Sequence, residues 1–306
     1  MLPEPPPHPR RIVYLGSPEL SVAPLEALLA AGYEVPLVVS RPDKRRGRRG
    51  RPEPSPVKAA ALGRGLAVSD RAADAVDAGA DLGVVVAFGQ LIRLPVLEAL
   101  PLVNLHFSLL PRWRGAAPVE RAVLAGDERT GVCLMALEEE LDTGGVYRRA
   151  ETAIDPDESV DELRTRLVEL GIGLLLDALA TGFGPAAPQL GEPTYAAKLA
   201  PAELALDWAR PAAELSRIVR VGRAWTTVDG RRLLVWRAAP VPAADAPGAD
   251  PGAGAASGPG SVSGTLVRTG EGWLRLDEVQ PEGRARMTAT TWLRGVRPAG
   301  ELRLGT

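Results

Sequence analysis

The stretch Leu102 to Gly115, LVNLHFSLLPRWRG, opens as a short apolar strand interrupted at Asn104 and His106. Side chains at i and i+2 of a strand lie on one face, so an amide and an imidazole project together at its carboxyl end. Asn104 can donate to an oxygen that gathers negative charge, and His106 can give or take a proton near neutral pH. The chain has only 2 histidines, and the other, His8, sits in a proline-rich leader, so histidine chemistry falls to His106. A carboxylate able to orient that imidazole and raise its pKa stands at Asp142, in the turn Leu141-Asp142-Thr143-Gly144-Gly145 after the apolar run Gly131 to Leu137. Taken alone, these residues leave a second reading open: a hydrogen-bonded core histidine at a strand end.

Such groups need a sheet to carry them. Arg11 to Leu15 reads as a first strand, and Gly16-Ser17-Pro18 turns it into a helix, with Ser17 as N-cap, Pro18 at the first helical position and Gly32 as C-cap. No G-x-G-x-x-G occurs at this turn, so the dinucleotide fingerprint is missing. Val35 to Ser40 is a second strand, and Leu82 to Phe88 is an apolar run suited to a parallel strand covered on both faces. Helices are expected from Ser55-Pro56, near Pro118 within Ala116 to Leu124, and over Glu158 to Ala180. This alternation specifies an α/β architecture, a Rossmann-like parallel sheet with helices on both faces, where ligands gather at the carboxyl ends of strands.

From 183 to 202 the pattern breaks into a glycine- and proline-rich stretch that reads as an interdomain linker. The chain thus divides into a first domain over 11–182, a linker over 183–202 and a second domain over 203–306. The second holds a helix, Ala212 to Val221, and strands at Trp225 to Val228, Arg232 to Ala238, Gly264 to Arg268 and Trp273 to Val279, with a low-complexity loop, Ala243 to Gly260, between the middle two. Short strands with turn signals suggest a small barrel. Tryptophans 225, 236, 273 and 292 are expected in its packing and not as base-stacking platforms.

A chain of 306 residues accommodates two domains. The net charge of −2 hides an uneven distribution: between Arg41 and Arg64, 9 basic residues face only Asp43 and Glu53. A polyanion would be drawn to that loop and not to the protein as a whole, although a solvated loop is the alternative reading. The single cysteine, Cys133, lies in an apolar strand as a small buried hydrophobe, and 1 cysteine with 2 histidines argues against a zinc site of the usual ligand type. No apolar run approaches the roughly 20 residues needed to span a bilayer, and the N-terminus lacks the apolar core of a secretory signal. A cytoplasmic monomer without membrane attachment is expected.

The run NLHFSLLPRWRGAAPVERAVLAGDERTGVCLM, followed by LDTGGVY, resembles the 10-formyltetrahydrofolate-dependent formyltransferases, most closely the methionyl-tRNA formyltransferase branch. The resemblance implies a Rossmann-like formyltransferase domain followed by an OB-like β-barrel that binds tRNA. It implies 10-formyltetrahydrofolate as formyl-donor co-substrate, no metal, and methionyl initiator tRNA as acceptor in translation initiation. Carried onto this chain, the catalytic residues are Asn104, His106 and Asp142. The folate-binding residues are Phe88, Gly89, Gln90, Leu91 and Ile92 together with Ser108, Leu109, Leu110 and Pro111. Arg48 in Pro-Asp-x-x-x-Gly-Arg is the expected tRNA contact, supported by Arg49 and Arg51. In this reading Asn104 and a protonated His106 stabilise an oxyanion, and Asp142 keeps His106 charged. One position departs from the pattern, Phe107 where a glycine is expected, and the segment from Val221 to Trp225 is short. Rival readings are a transferase acting on an amino sugar nucleotide, a 10-formyltetrahydrofolate hydrolase, and a catalytically silent RNA-binding protein on the same scaffold.

Overall fold

The computed structural model describes residues 2–45, 50–242, 258–296 and 301–306. The chain begins with β1 (Ile12–Gly16), α1 (Val22–Ala30), β2 (Val38–Val39), β3 (Lys44–Arg45), β4 (Pro52–Glu53), α2 (Pro56–Gly63), β5 (Val68–Ser69) and β6 (Leu82–Val86). It continues through α3 (Leu94–Ala99), β7 (Leu102–His106), β8 (Arg114–Gly115), α4 (Pro118–Ala125), β9 (Arg129–Ala136), β10 (Val146–Ala153), α5 (Val160–Thr181) and β11 (Tyr195–Ala196). Seven strands form one sheet in the order β10-β9-β7-β6-β1-β2-β5. The pairs from β5 to β7 are parallel, and β9 and β10 extend the sheet antiparallel.

Burial follows the composition of each strand. β1, β6 and β7 are buried at every position, as expected of apolar runs covered on both faces. β10, at the edge, carries Arg148, Arg149 and Glu151 and is fully buried only at Val146. Gly83 leaves room for the Leu102 side chain, whose Cδ2 atom would lie 2.1 Å from a Cβ there. The chain runs outward from β1 to β2 and β5, then returns across β1 to β6 and β7. This reversal opens a crevice at the carboxyl ends of β1 and β6.

Two expectations need correction. Ser17 caps no helix: a 3-10 turn, Glu19–Ser21, precedes α1, and the Ser17 hydroxyl donates to the Phe88 carbonyl at 3.1 Å. A distant acceptor outcompetes the local cap and ties the loop after β1 to the loop after β6. Ser55 does cap α2, accepting from the Lys58 N–H at 3.0 Å. The second correction concerns the stretch expected as a linker. Ala187 exchanges backbone hydrogen bonds with Val146 at 2.8 and 2.9 Å, and β11 pairs in parallel with β8. The first compact unit accordingly takes in Leu163–Lys198, along with Arg129–Ala153 and the chain up to Val119.

The second unit comprises Glu120–Glu128, Ile154–Glu162 and Leu199–Thr306. Its elements are α6 (Ala212–Val221), β12 (Ala224–Val228), β13 (Arg231–Val241), β14 (Val262–Ser263), β15 (Leu266–Arg268), β16 (Trp273–Pro281), β17 (Met287–Thr288) and α7 (Ala289–Gly295). The strands form an antiparallel sheet, β12-β13-β16-β15-β14, with β17 beside β16. Trp208, Leu215, Ile218, Val235, Leu274 and Trp292 belong to its core. Trp273 is also buried, whereas Trp225 and Trp236 are half-buried with the guanidinium groups of Arg232 and Arg286 stacked 4.3 and 3.8 Å from their ring centres. Most of the expected loop Ala243 to Gly260, from 243 to 257, lies outside the described residues. Among the described residues, no helix is long and apolar enough to cross a membrane.

Candidate active site

The carboxyl end of strand β7 places Asn104 and His106 at the carboxyl edge of the sheet, 8% and 5% exposed, beside β6 and β9. His106 makes two contacts that define its state. Its Nε2 lies 2.8 Å from the Trp113 carbonyl oxygen, which can only accept, so Nε2 carries the proton. Its Nδ1 faces the Asp142 Oδ2 at 3.6 Å, outside hydrogen-bond range. That carboxylate oxygen instead accepts from the Gly115 N–H at 2.7 Å. A neutral His106 therefore presents the Nδ1 lone pair, beside a carboxylate that stabilises the imidazolium once a proton arrives.

Burial pushes the His106 pKa below its ordinary value, while the Asp142 carboxylate and the Trp113 carbonyl pull it upward. Burial prevails, which favours the neutral imidazole. The direction runs against a His106 held in its charged form by Asp142, because burial disfavours the imidazolium more than the carboxylate favours it.

Trp113 and Asp142 both have left-handed backbone conformations, φ 63° and 53°, which ordinary side chains seldom adopt. Bonds from outside each loop hold them. The Trp113 N–H donates to the Thr194 Oγ1 at 2.9 Å. The Gln189 Nε2 donates to the carbonyls of Asp142 and Gly144 at 2.8 and 2.9 Å, and its Oε1 accepts from Arg114 at 2.7 Å. Within the Asp142 turn, Gly144 passes against β9, and a Cβ there would lie 2.0 Å from the Ala136 oxygen.

The residues expected to bind folate occupy two loops. Phe88 and Ile92 are buried, Gly89 and Gln90 are exposed, and Leu91 is 75% exposed. Ser108 and Leu110 are buried, Leu109 and Pro111 are half-buried, and the Ser108 hydroxyl donates to the Arg112 carbonyl at 2.5 Å. An apolar Leu91 in the loop between β6 and α3 suits a flat heteroaromatic ring. Phe107 is 6% exposed and packs into the protein. Cys133 is fully buried and its thiol is pushed up, which leaves no reactive thiolate. Arg51 is exposed just before β4, and Arg48 and Arg49 lie outside the described residues.

Three groups around the candidate site escape a reading of the sequence: the Trp113 carbonyl, Gln189 and Thr194. The first is a backbone atom, and the other two come from a stretch whose composition reads as loop. The TYAAKL sequence beginning at Thr194 is the one signal that could have pointed to them.

The class follows from comparison with known proteins. The Formyl transferase family matches residues 10–179, and the family described as Formyl transferase, C-terminal domain, matches residues 198–297. The chain is 43% identical over 314 residues to the methionyl-tRNA formyltransferase of Symbiobacterium thermophilum, covering 97% of this chain and 94% of that one. It is 40% identical over 301 residues to the enzyme of the same name from Paracoccus denitrificans, covering 94% and 97%. The chain belongs to the methionyl-tRNA formyltransferase family. HypX from Aquifex aeolicus, solved in complex with tetrahydrofolic acid, shares the fold at TM-score 0.65 and 16% identity. That match covers 96% of this chain, which spans 50% of the length of HypX.

Proposed function

We propose that the protein transfers the formyl group of 10-formyltetrahydrofolate to the α-amino group of methionyl initiator tRNA. The observation that carries this reading is the meeting of Asn104, His106 and Asp142 at the edge of a parallel sheet, in a chain 43% identical to a methionyl-tRNA formyltransferase. A folate bound to HypX, which has the same fold, supports a folate donor. Phe88 to Ile92 and Ser108 to Pro111 are the residues that would hold it, and it supplies a formyl carbon open to attack by an amine.

The protein contributes placement, a proton acceptor and charge stabilisation. Asn104 donates from its amide to the formyl oxygen as negative charge gathers there. His106 takes a proton from the attacking amine on Nδ1 and returns it to N10, so the transfer ends with a formamide and a folate amine and no net proton change. Asp142 favours the imidazolium during that interval. No covalent enzyme intermediate is needed, in keeping with the inert Cys133. Arg51, with Arg48 and Arg49, supplies phosphate contacts to the tRNA. The second domain, 203–306, is assigned a part in holding the same tRNA. Acting on initiator tRNA, the protein works in the cytoplasm, as a monomer.

The test is formyl transfer from 10-formyltetrahydrofolate to methionyl initiator tRNA, with the uncharged tRNA as control. Transfer to the charged species alone is the expected result. Formate release without transfer, or formylation of an amino sugar nucleotide in its place, would overturn the acceptor. Asn104→Ala should raise the barrier by about 2.7–4 kcal/mol, a loss of roughly 10² to 10³ in turnover, with tRNA affinity unchanged.

A further inference from the structure

We propose that Gln189 and Thr194, on the segment following α5, are positioning residues that hold the two loops facing His106 in register. The reaction they serve is the one proposed above, but their geometry stands without it. Each side chain spends its polar atoms on the backbone or flank of a catalytic loop. Gln189 bridges both loops: its Nε2 reaches the carbonyls of Asp142 and Gly144, and its Oε1 accepts from the Arg114 Nε and Nη2 at 3.1 and 2.7 Å. Thr194 grips the stretch before β8. Its Oγ1 accepts from the Trp113 N–H, its carbonyl accepts from the Arg114 N–H at 2.9 Å, and its own N–H donates to the Pro111 carbonyl at 3.3 Å.

These bonds matter because the loops they hold are not locally favoured. Trp113 and Asp142 sit in the left-handed region, where a non-glycine residue persists only if its surroundings dictate it. The Trp113 carbonyl in turn decides which ring nitrogen of His106 carries the proton. Releasing Trp113 would let His106 adopt the other tautomer, with Nδ1–H directed at Asp142, and the lone pair that must take the amine proton would be lost. Releasing the Asp142 turn would let its carboxylate drift from the position that favours the imidazolium. Thr194 thus governs the tautomer, and Gln189 the spacing of the pair.

The experiment uses the full chain labelled with ¹⁵N in its histidine rings, where His8 and His106 give the only ring signals. Thr194→Val, Thr194→Ser and Gln189→Ala are compared with wild type for ring shifts, kcat and KM. Thr194→Val and Gln189→Ala should each lower kcat by roughly ten- to a hundredfold, with KM for either substrate changed by less than about threefold. Thr194→Val should also move the His106 ring shifts away from the Nε2–H pattern, and Thr194→Ser, which keeps the acceptor, should restore both readouts. Turnover within about twofold of wild type in both variants would overturn the proposal. So would a loss of turnover that follows the folded fraction while the His106 shifts stay unchanged. Should wild type itself transfer no formyl group, the reaction assigned above fails, and the ring shifts still decide the positioning claim.

Discussion

The state of the His106 ring is set by its surroundings. With Nε2–H committed to the Trp113 carbonyl and burial holding its pKa down, the ring rests neutral with a free lone pair on Nδ1. Its NMR titration midpoint should therefore fall below the ordinary value of about 6.5. Asp142→Asn removes a contribution that raises the pKa, so the midpoint should fall further, and a rise would contradict the pairing. The same shift affects stability. Between the folded and unfolded pKa values the unfolded chain binds more protons, so stability is present above the unfolded value and is lost as pH falls through the folded one. Urea midpoints measured below pH 7 should show this loss, and a His106→Gln variant should lack that component. At this scale the sequence was legible where chemistry is local: Asn104 and His106 share a strand face by spacing alone, and Asp142 announces itself in a glycine turn. It did not show the downward push on the His106 pKa, because burial depth is a property of the packed molecule. The Trp113 carbonyl has no side-chain signature at all.

Among the elements, the Asp142 turn is narrowly constrained by its neighbours. The Ala136 N–H donates to the Gly145 carbonyl at 2.8 Å, and the intervening approach leaves no room for a Cβ on Gly144. Gly144→Ala should cost about 1–3 kcal/mol in chemical denaturation and should also reduce kcat, since the turn that must shift carries Asp142 two residues earlier. Full turnover in that variant would mean that Asp142 tolerates displacement. Elements with a strong apolar pattern were readable to within a residue or two, as with Leu102–His106 and the helix Ala212–Val221. Elements defined by distant partners were not. Thr194 meets Trp113 across 81 residues, and Ser17 meets Phe88 across 71, and neither contact leaves a trace in local composition. The stretch expected as linker therefore proves to be a strap across the loops that carry Trp113 and Asp142.

Taken as a whole, the molecule is weakly acidic, with a net charge of −2, so any hold on nucleic acid must come from local charge. Lys58 is already paired with Asp43 at 2.6 Å, whereas Arg51 is exposed in the loop between β3 and β4. Arg51→Glu should weaken binding of methionyl initiator tRNA and flatten its log–log salt dependence by roughly one unit per lost phosphate contact. Affinity unchanged over a salt series would identify the loop as merely solvated. The exposed Leu91 in the loop between β6 and α3 has a different consequence, a calorimetric one. In the free protein its side chain orders water that a bound pterin ring would expel, and burial of apolar surface lowers heat capacity. Titration calorimetry at several temperatures should therefore record capture of the folate as a negative heat-capacity change, and Leu91→Ser should diminish it.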